Sequence, residues 1–197
     1  MTPLRPAVFL DRDGVVIEDG HYLGDSSRIR LVPGSAEAIA SLNRAGWLVV
    51  IVTNQSGVAR GKFTIESVEE VQKQLSELLH GFGATVDAYR YCPHHPEAIV
   101  SAYRAMCECR KPLPGMLLSA AAELGVELKS SWMIGDRITD LQAGAAAGCQ
   151  TVLVRTGYGS EINAAALDRA KLRLELVAAD LADAVDRLGL ARTQSAA

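Results

Sequence analysis

The sequence predicts an α/β class, doubly wound fold on a mainly parallel sheet, and three observations predict it. Short apolar runs alternate with helix-like stretches along the chain. Those runs are near-continuous rather than alternating, as strands covered on both faces are. Chemically suggestive side chains follow the runs directly, and an open parallel sheet takes its ligand beyond the carboxyl ends of its strands. At 197 residues, with 49% hydrophobic and 22% charged residues, the chain suits one domain with a full core.

The elements follow in order. Ala7–Leu10 reads as the first strand, and Val15–Pro33 after it fits neither element type. Ser35–Ala45 reads as a helix stopped by Gly46, and Leu48–Thr53 as the second strand. Ile65–Leu79 carries Val68, Val71, Leu75, Leu78 and Leu79 at three- and four-residue spacing, the apolar stripe of a helix. The third strand is expected at Ala88–Tyr91, followed by an irregular segment, Cys92–Arg110. A helix over Pro114–Leu124 ends at Gly125, a strand follows at Trp132–Gly135, and a helix over Asp140–Ala147 ends at Gly148. Strands at Thr151–Val154 and Leu174–Val177 and a helix at Asp180–Leu188 complete residues 1–190 as a single domain. Residues 191–197 are expected to be a disordered tail.

Composition excludes several classes. A net charge of −3 with interspersed signs argues against nucleic acid, whose binding calls for a basic face. No apolar stretch is long enough to span a membrane. Met1-Thr2-Pro3-Leu4-Arg5-Pro6 reaches the first strand too soon for a signal peptide, so cytoplasmic residence is expected.

Four strand ends carry the chemistry. Asp11-Arg12-Asp13-Gly14 leaves the first strand, Thr53-Asn54-Gln55 the second, and Gly135-Asp136 the fourth, with Lys111 opening the helix after the third. A carboxylate such as Asp11 can attack phosphorus, and one two residues on, Asp13, can protonate the leaving oxygen and then activate water. Thr53 and nearby backbone amides can hold phosphoryl oxygens, Lys111 can offset their charge, and Asp136 with Asp140 can help hold magnesium. Singly, each is weak: Asp-x-Asp is usually a helix cap or solvated loop, Thr-Asn turn chemistry, and a lysine mere surface. An EF-hand is excluded because glycine stands fourth instead of sixth. Together and in order, the groups suit magnesium-assisted phosphoryl transfer.

Cys92-Pro93-His94 and Cys107-Glu108-Cys109 supply three thiolates and an imidazole, the ligand set of a closed zinc site. A structural zinc is expected, since four protein ligands leave no open position. His95 competes with His94, and the Cys-x-His spacing favours His94. Cys149 stands apart and reads as a small buried thiol.

Across residues 7–155 these motifs resemble the haloacid dehalogenase superfamily of aspartate-nucleophile phosphatases, which implies a Rossmann-like core. The resemblance makes Asp11 the nucleophile, Asp13 the general acid/base, and Thr53 and Lys111 the phosphoryl stabilisers. It gives magnesium to Asp11, the Asp13 backbone carbonyl and Asp136. It makes Val15–Val32 a hairpin-like segment over the site and leaves no room for a large cap domain.

Cys92-Pro93-His94-His95-Pro96, Cys107-Glu108-Cys109-Arg110-Lys111-Pro112 and Thr53-Asn54-Gln55-Ser56-Gly57 narrow the resemblance to the heptose bisphosphate phosphatase branch, with histidinol-phosphate phosphatases as the nearest alternative. Gly57-Val58-Ala59-Arg60-Gly61-Lys62-Phe63 resembles the heptose branch. That branch implies removal of the 7-phosphate from a heptose 1,7-bisphosphate on the way to activated heptose for lipopolysaccharide. Arg60 or Arg110 could grip the uncleaved phosphate, although a solvated arginine is an equally ordinary reading of Arg60. Asp19, His21 and Tyr22 match the family's substrate loop, and Asn54, Gln55, Ser56 and Arg137 are further candidate substrate contacts. Arg137 departs from the lysine expected there, keeping charge and changing geometry. The expected partner is a small sugar bisphosphate, and the expected state is a monomer. A zinc-containing binding module without catalysis is a third reading, opposed by the intact set of five catalytic-type residues.

Overall fold

Six apolar runs become six parallel strands. The structure is a computed structural model in which residues 4–192 are described. The strands are β1 (Ala7–Leu10), β2 (Leu48–Asn54), β3 (Ala88–Cys92), β4 (Trp132–Gly135), β5 (Gln150–Val154) and β6 (Leu176–Ala178). The helices are α1 (Ser35–Arg44), α2 (Ser56–Ala59), α3 (Ile65–His80), α4 (Gly115–Leu124), α5 (Ile138–Ala147), α6 (Ala164–Arg169) and α7 (Leu181–Arg187). The sheet runs β3-β2-β1-β4-β5-β6, with every neighbouring pair parallel. The chain winds outward from β1 to β3, then crosses to β4 on the other side of β1. That reversal opens a crevice at the carboxyl ends of β1, β2 and β4.

Strand parity divides the core in two. Val8, Leu10, Val49, Ile51 and Ile134 join a cluster with Ile39 and Leu42 of α1, Val71 and Leu75 of α3, and Leu181 and Val185 of α7. Ala7, Phe9, Val50, Val52 and Met133 face the other way, onto Met116, Leu117 and Ala120 of α4 and Ala143 of α5. Strands buried on both faces must be apolar at every position, which is why they read as continuous runs. β3 and β6, the two edge strands, are half-buried over most of their length.

Val15–Val32 forms a hairpin-like flap. Ile17 pairs antiparallel with Leu31, and the Val32 amide donates to the Val16 carbonyl at 3.0 Å. Val15, Val16, Ile17, Leu23 and Ile29 sink into the core and anchor the flap, while its tip carries Asp19, His21 and Tyr22. No cap domain separates the strands among the described residues.

The sequence misses α2, which is a single turn, and α6, which buries no residue and so carries no apolar period. The last strand starts at Leu176 rather than Leu174. Of the expected tail, the Arg192 amide still donates to Gly189 in the turn after α7. Residues 193–197 lie outside the described residues. No helix among the described residues is long and apolar enough to cross a membrane.

Phe9 is among the largest fully buried side chains. Phe9→Ala should lower unfolding free energy by about 3–5 kcal/mol in urea titration, while exposed Leu118→Ala should cost under about 1 kcal/mol.

Candidate active site

The crevice holds a cavity of about 370 Å3 whose floor is carboxylate and ammonium. Lys111 is the centre of that floor. Its Nζ donates to Asp11 Oδ1 at 2.7 Å and to the Val52 carbonyl at 2.8 Å, and lies 2.8 Å from Asp140 Oδ1. Two ammonium donors are thereby hydrogen-bonded and the cation faces the Asp140 charge, all in a buried setting. Burial alone would depress the lysine pKa, but the Asp11 and Asp140 charges hold it above its ordinary value. The lysine's backbone is held as firmly, because the Asn54 side chain donates to the Lys111 carbonyl at 3.0 Å and accepts from its amide at 3.1 Å.

Asp11, Asp136 and Asp140 bring carboxylate oxygens within 4.8 Å of one another, all buried. Burial pushes Asp11 well above the usual carboxylate range, with Asp140, Asp136 and Asp13 adding to the rise and Lys111 opposing it. Burial and Asp140 push Asp136 up to about 7. One oxygen of Asp136 accepts from the Tyr158 amide at 2.8 Å, while Oδ1 is buried with no partner. Asp140 pins two elements: Oδ2 accepts from the Arg137 amide at 2.9 Å, and Oδ1 faces Lys111. Gly14 and Gly157, both at positive φ, close on Asp136, where an added Cβ would lie 2.3 and 2.1 Å from Oδ2.

Asp13 is not in that cluster. Its carboxylate faces Arg12 and Gln55, with Thr53 Oγ1 3.5 Å away. The outer wall is aromatic and cationic. Arg137 lies 3.6 Å over the Tyr158 ring and 3.5 Å from Asp19 of the flap. His21 stacks near-parallel to Tyr158 with ring centroids 6.2 Å apart.

Beside the cavity, Cys92, His94, Cys107 and Cys109 converge. The sulfurs lie 3.1–3.5 Å apart, and His94 Nδ1 is 3.5 Å from Cys109 and 3.7 Å from Cys92. Tetrahedral donors about 2.3 Å from one ion would be spaced roughly 3.8 Å apart, so the set fits a single metal with slight opening. His95 is turned away, its Nδ1 accepting from the Glu97 amide and its Nε2 facing Arg60 at 3.2 Å. Cys149 is buried in the apolar cluster under α4 and α5, and burial pushes its thiol up to about 12.

Residues 108–184 match a family model described as HAD-hyrolase-like. The D-glycero-beta-D-manno-heptose-1,7-bisphosphate 7-phosphatase of Rhodopseudomonas palustris is 49% identical over 146 residues, 74% of this chain and 81% of that protein. The enzyme of the same name from Yersinia pestis is 45% identical over 158 residues, 80% of this chain and 84% of that protein. A crystal structure of D,D-heptose 1,7-bisphosphate phosphatase from B. bronchiseptica, complexed with magnesium and phosphate, has a TM-score of 0.81 at 38% identity, covering 93% of this chain and 97% of that one. The chain belongs to the heptose 1,7-bisphosphate 7-phosphatase family.

Most of the residues expected from sequence meet in this family member's cavity. Asp11, Asp13, Asp19, His21, Tyr22, Thr53, Asn54, Gln55, Ser56, Arg110, Lys111 and Arg137 all line it, and Asp136 sits buried beside them. Arg60 does not line it, because its side chain turns to His95. Tyr158 and Thr139 line the cavity unforeseen. Tyr158 follows β5 closely, and the strand-end logic applied to Asp11 and Asp136 would have found it.

Asn54 spends both ends of its amide on Lys111, so Asn54→Leu should cost stability as well as activity. The expected loss is about 1–3 kcal/mol for two hydrogen bonds, read by denaturant unfolding. Ser56→Ala, another cavity-lining change, should cost under about 0.5 kcal/mol.

Proposed function

We propose that this chain removes the 7-phosphate of D-glycero-β-D-manno-heptose 1,7-bisphosphate through an aspartyl-phosphate on Asp11. The observation that carries the reading is the buried Asp11 carboxylate. Lys111 occupies its Oδ1, which leaves Oδ2 for the cavity, in a chain 49% identical over 146 residues to a phosphatase named for that substrate. Asp11 attacks phosphorus, and Asp13 gives a proton to the departing sugar oxygen. Asp13 then takes a proton from the water that attacks the aspartyl-phosphate, which frees phosphate and restores Asp11. Thr53 and Lys111 lie beside the reacting group, and Arg110, whose NH1 donates to the His94 carbonyl at 3.1 Å, is placed to grip the uncleaved phosphate.

Magnesium suits the floor, where the buried, unpartnered Asp136 Oδ1 and three carboxylates face one lysine. Asp11, Asp136 and the Asp13 backbone carbonyl would hold it. When bound it supplies positive charge against the phosphoryl oxygens. The four donors of the thiol cluster suit zinc, whose binding energy would be folding energy for the 92–110 segment. Reduced, metal-binding thiols suit a cytosolic enzyme, and the partner in this reading is the small sugar bisphosphate.

Asp11→Asn should abolish turnover with fold retained. Wild-type kcat/KM should favour heptose 1,7-bisphosphate over a heptose monophosphate and over histidinol phosphate. Arg110→Ala should lower the bisphosphate value roughly ten- to a hundred-fold, the range of one charge-assisted contact, and hardly change that for a small phosphate ester. A preference for histidinol phosphate would replace the heptose reading.

Elemental analysis should find one zinc per chain. Cys107→Ser should lower zinc content and melting temperature together, whereas magnesium removal should stop activity with zinc retained. Metal-free protein with an unchanged melting temperature would sink the zinc assignment.

A further inference from the structure

Asp13 is held unevenly. Arg12 NH2 reaches both of its oxygens, at 3.1 Å to Oδ1 and 3.0 Å to Oδ2. Gln55 Nε2 donates to Oδ2 alone at 2.9 Å and also donates to Thr53 Oγ1 at 2.8 Å, while Thr53 Oγ1 lies 3.5 Å from the same Oδ2. Oδ2 therefore meets three donors and Oδ1 one. Arg12 is 0% exposed, yet its Nε and NH1 have no partner and its remaining nitrogen is spent on Asp13. A buried guanidinium with two unsatisfied donors is unfavourable for folding by itself, and an apolar residue would fill the space more stably. Its single polar contact is to Asp13, at the edge of the cavity.

We propose that Arg12 and Gln55 are positioning residues for Asp13: Arg12 spans both oxygens and Gln55 fixes Oδ2, so that the less engaged Oδ1 is the oxygen that moves the proton. The inference rests on the aspartyl-phosphate reading above. With its proton on Oδ1, Asp13 keeps Oδ2 as a carbonyl oxygen that accepts from Gln55 and Arg12. After the proton has gone to the sugar oxygen, as the ester bond breaks and the Asp11–phosphorus bond forms, Oδ2 accepts the same two bonds as part of a carboxylate. Oδ1 then takes the proton of the attacking water as the Asp11–phosphorus bond breaks. The anchor thus survives both half-reactions without rearranging.

The test is dependence on the leaving group. A sugar alkoxide needs a proton to depart, whereas 4-nitrophenolate leaves without one. With magnesium in excess, Arg12→Met should lower kcat/KM for heptose 1,7-bisphosphate by about a hundred-fold, within the range of general acid catalysis. First-turnover release of nitrophenolate from 4-nitrophenyl phosphate should fall less than about threefold and then stall as phosphoenzyme accumulates, because water lacks its base. Gln55→Met should lower kcat/KM for the bisphosphate about tenfold, and added to Asp13→Asn it should cost that reaction nothing more. If Arg12→Met does not fold, Gln55→Met decides alone. Equal losses on both substrates, an absent burst, or a further loss on top of Asp13→Asn overturns the positioning role. An active Asp11→Asn would instead overturn the covalent reading and leave the two failures distinct.

Discussion

The Lys111 ammonium is the interaction on which the rest of the site depends. It joins Asp11 after β1, the Val52 carbonyl in β2 and Asp140 in α5, so three separately folded elements meet on one cation. Without it, buried Asp11, Asp136 and Asp140 would face one another with only the more exposed Arg137 to offset them, a far costlier arrangement than any surface pair. A buried ion pair of this kind adds little net stability, yet losing one partner is severe. The lysine therefore reads as an organiser of charge more than as a brace for the fold.

That dependence links the thiol cluster to the site through the chain. Cys109 stands two residues before Lys111, and Asn54 at the end of β2 grips the Lys111 backbone from the other side. A metal held by these four donors would fix the segment that delivers both Arg110 and Lys111. Loosening it would move the cation relative to Asp11 by changing only backbone position. An ångström of misplacement at a reacting centre is worth far more in rate than in stability.

Much of this was legible because parallel strands are apolar throughout and ligands gather at their carboxyl ends. The termini of β1, β2 and β4, the helices stopped by Gly46, Gly125 and Gly148, and the two Cys/His pairs all follow from local chemistry. Less visible were pairings set by three-dimensional approach. Nothing in the chain order shows that Asp140 serves Lys111, that Tyr158 holds Asp136, or that Arg60 turns to His95. Asn54 and Gln55 read as substrate contacts because they follow a strand, whereas their amides are spent on Lys111 and Asp13. Polar residues at a strand end are easy to place and hard to assign, since neighbours decide which atoms remain free.

With no cap domain among the described residues, selectivity falls to the loops, and these are tied to one another. Phe63 packs against Gly24 of the flap and Gly57 of α2, where an added Cβ would lie 2.6 and 2.3 Å from its ring. Across the cavity, Asp19 of the flap reaches Arg137, which lies on Tyr158, whose amide holds Asp136. The flap is thus joined on one side to the segment after β2 and on the other to the carboxylate floor. A sugar that displaced the flap tip would disturb Arg137 and Tyr158 before reaching Asp11. Substrate fit and the charge arrangement are coupled through these few contacts, which is how a rigid sheet edge can discriminate among phosphate esters sharing the same reacting group.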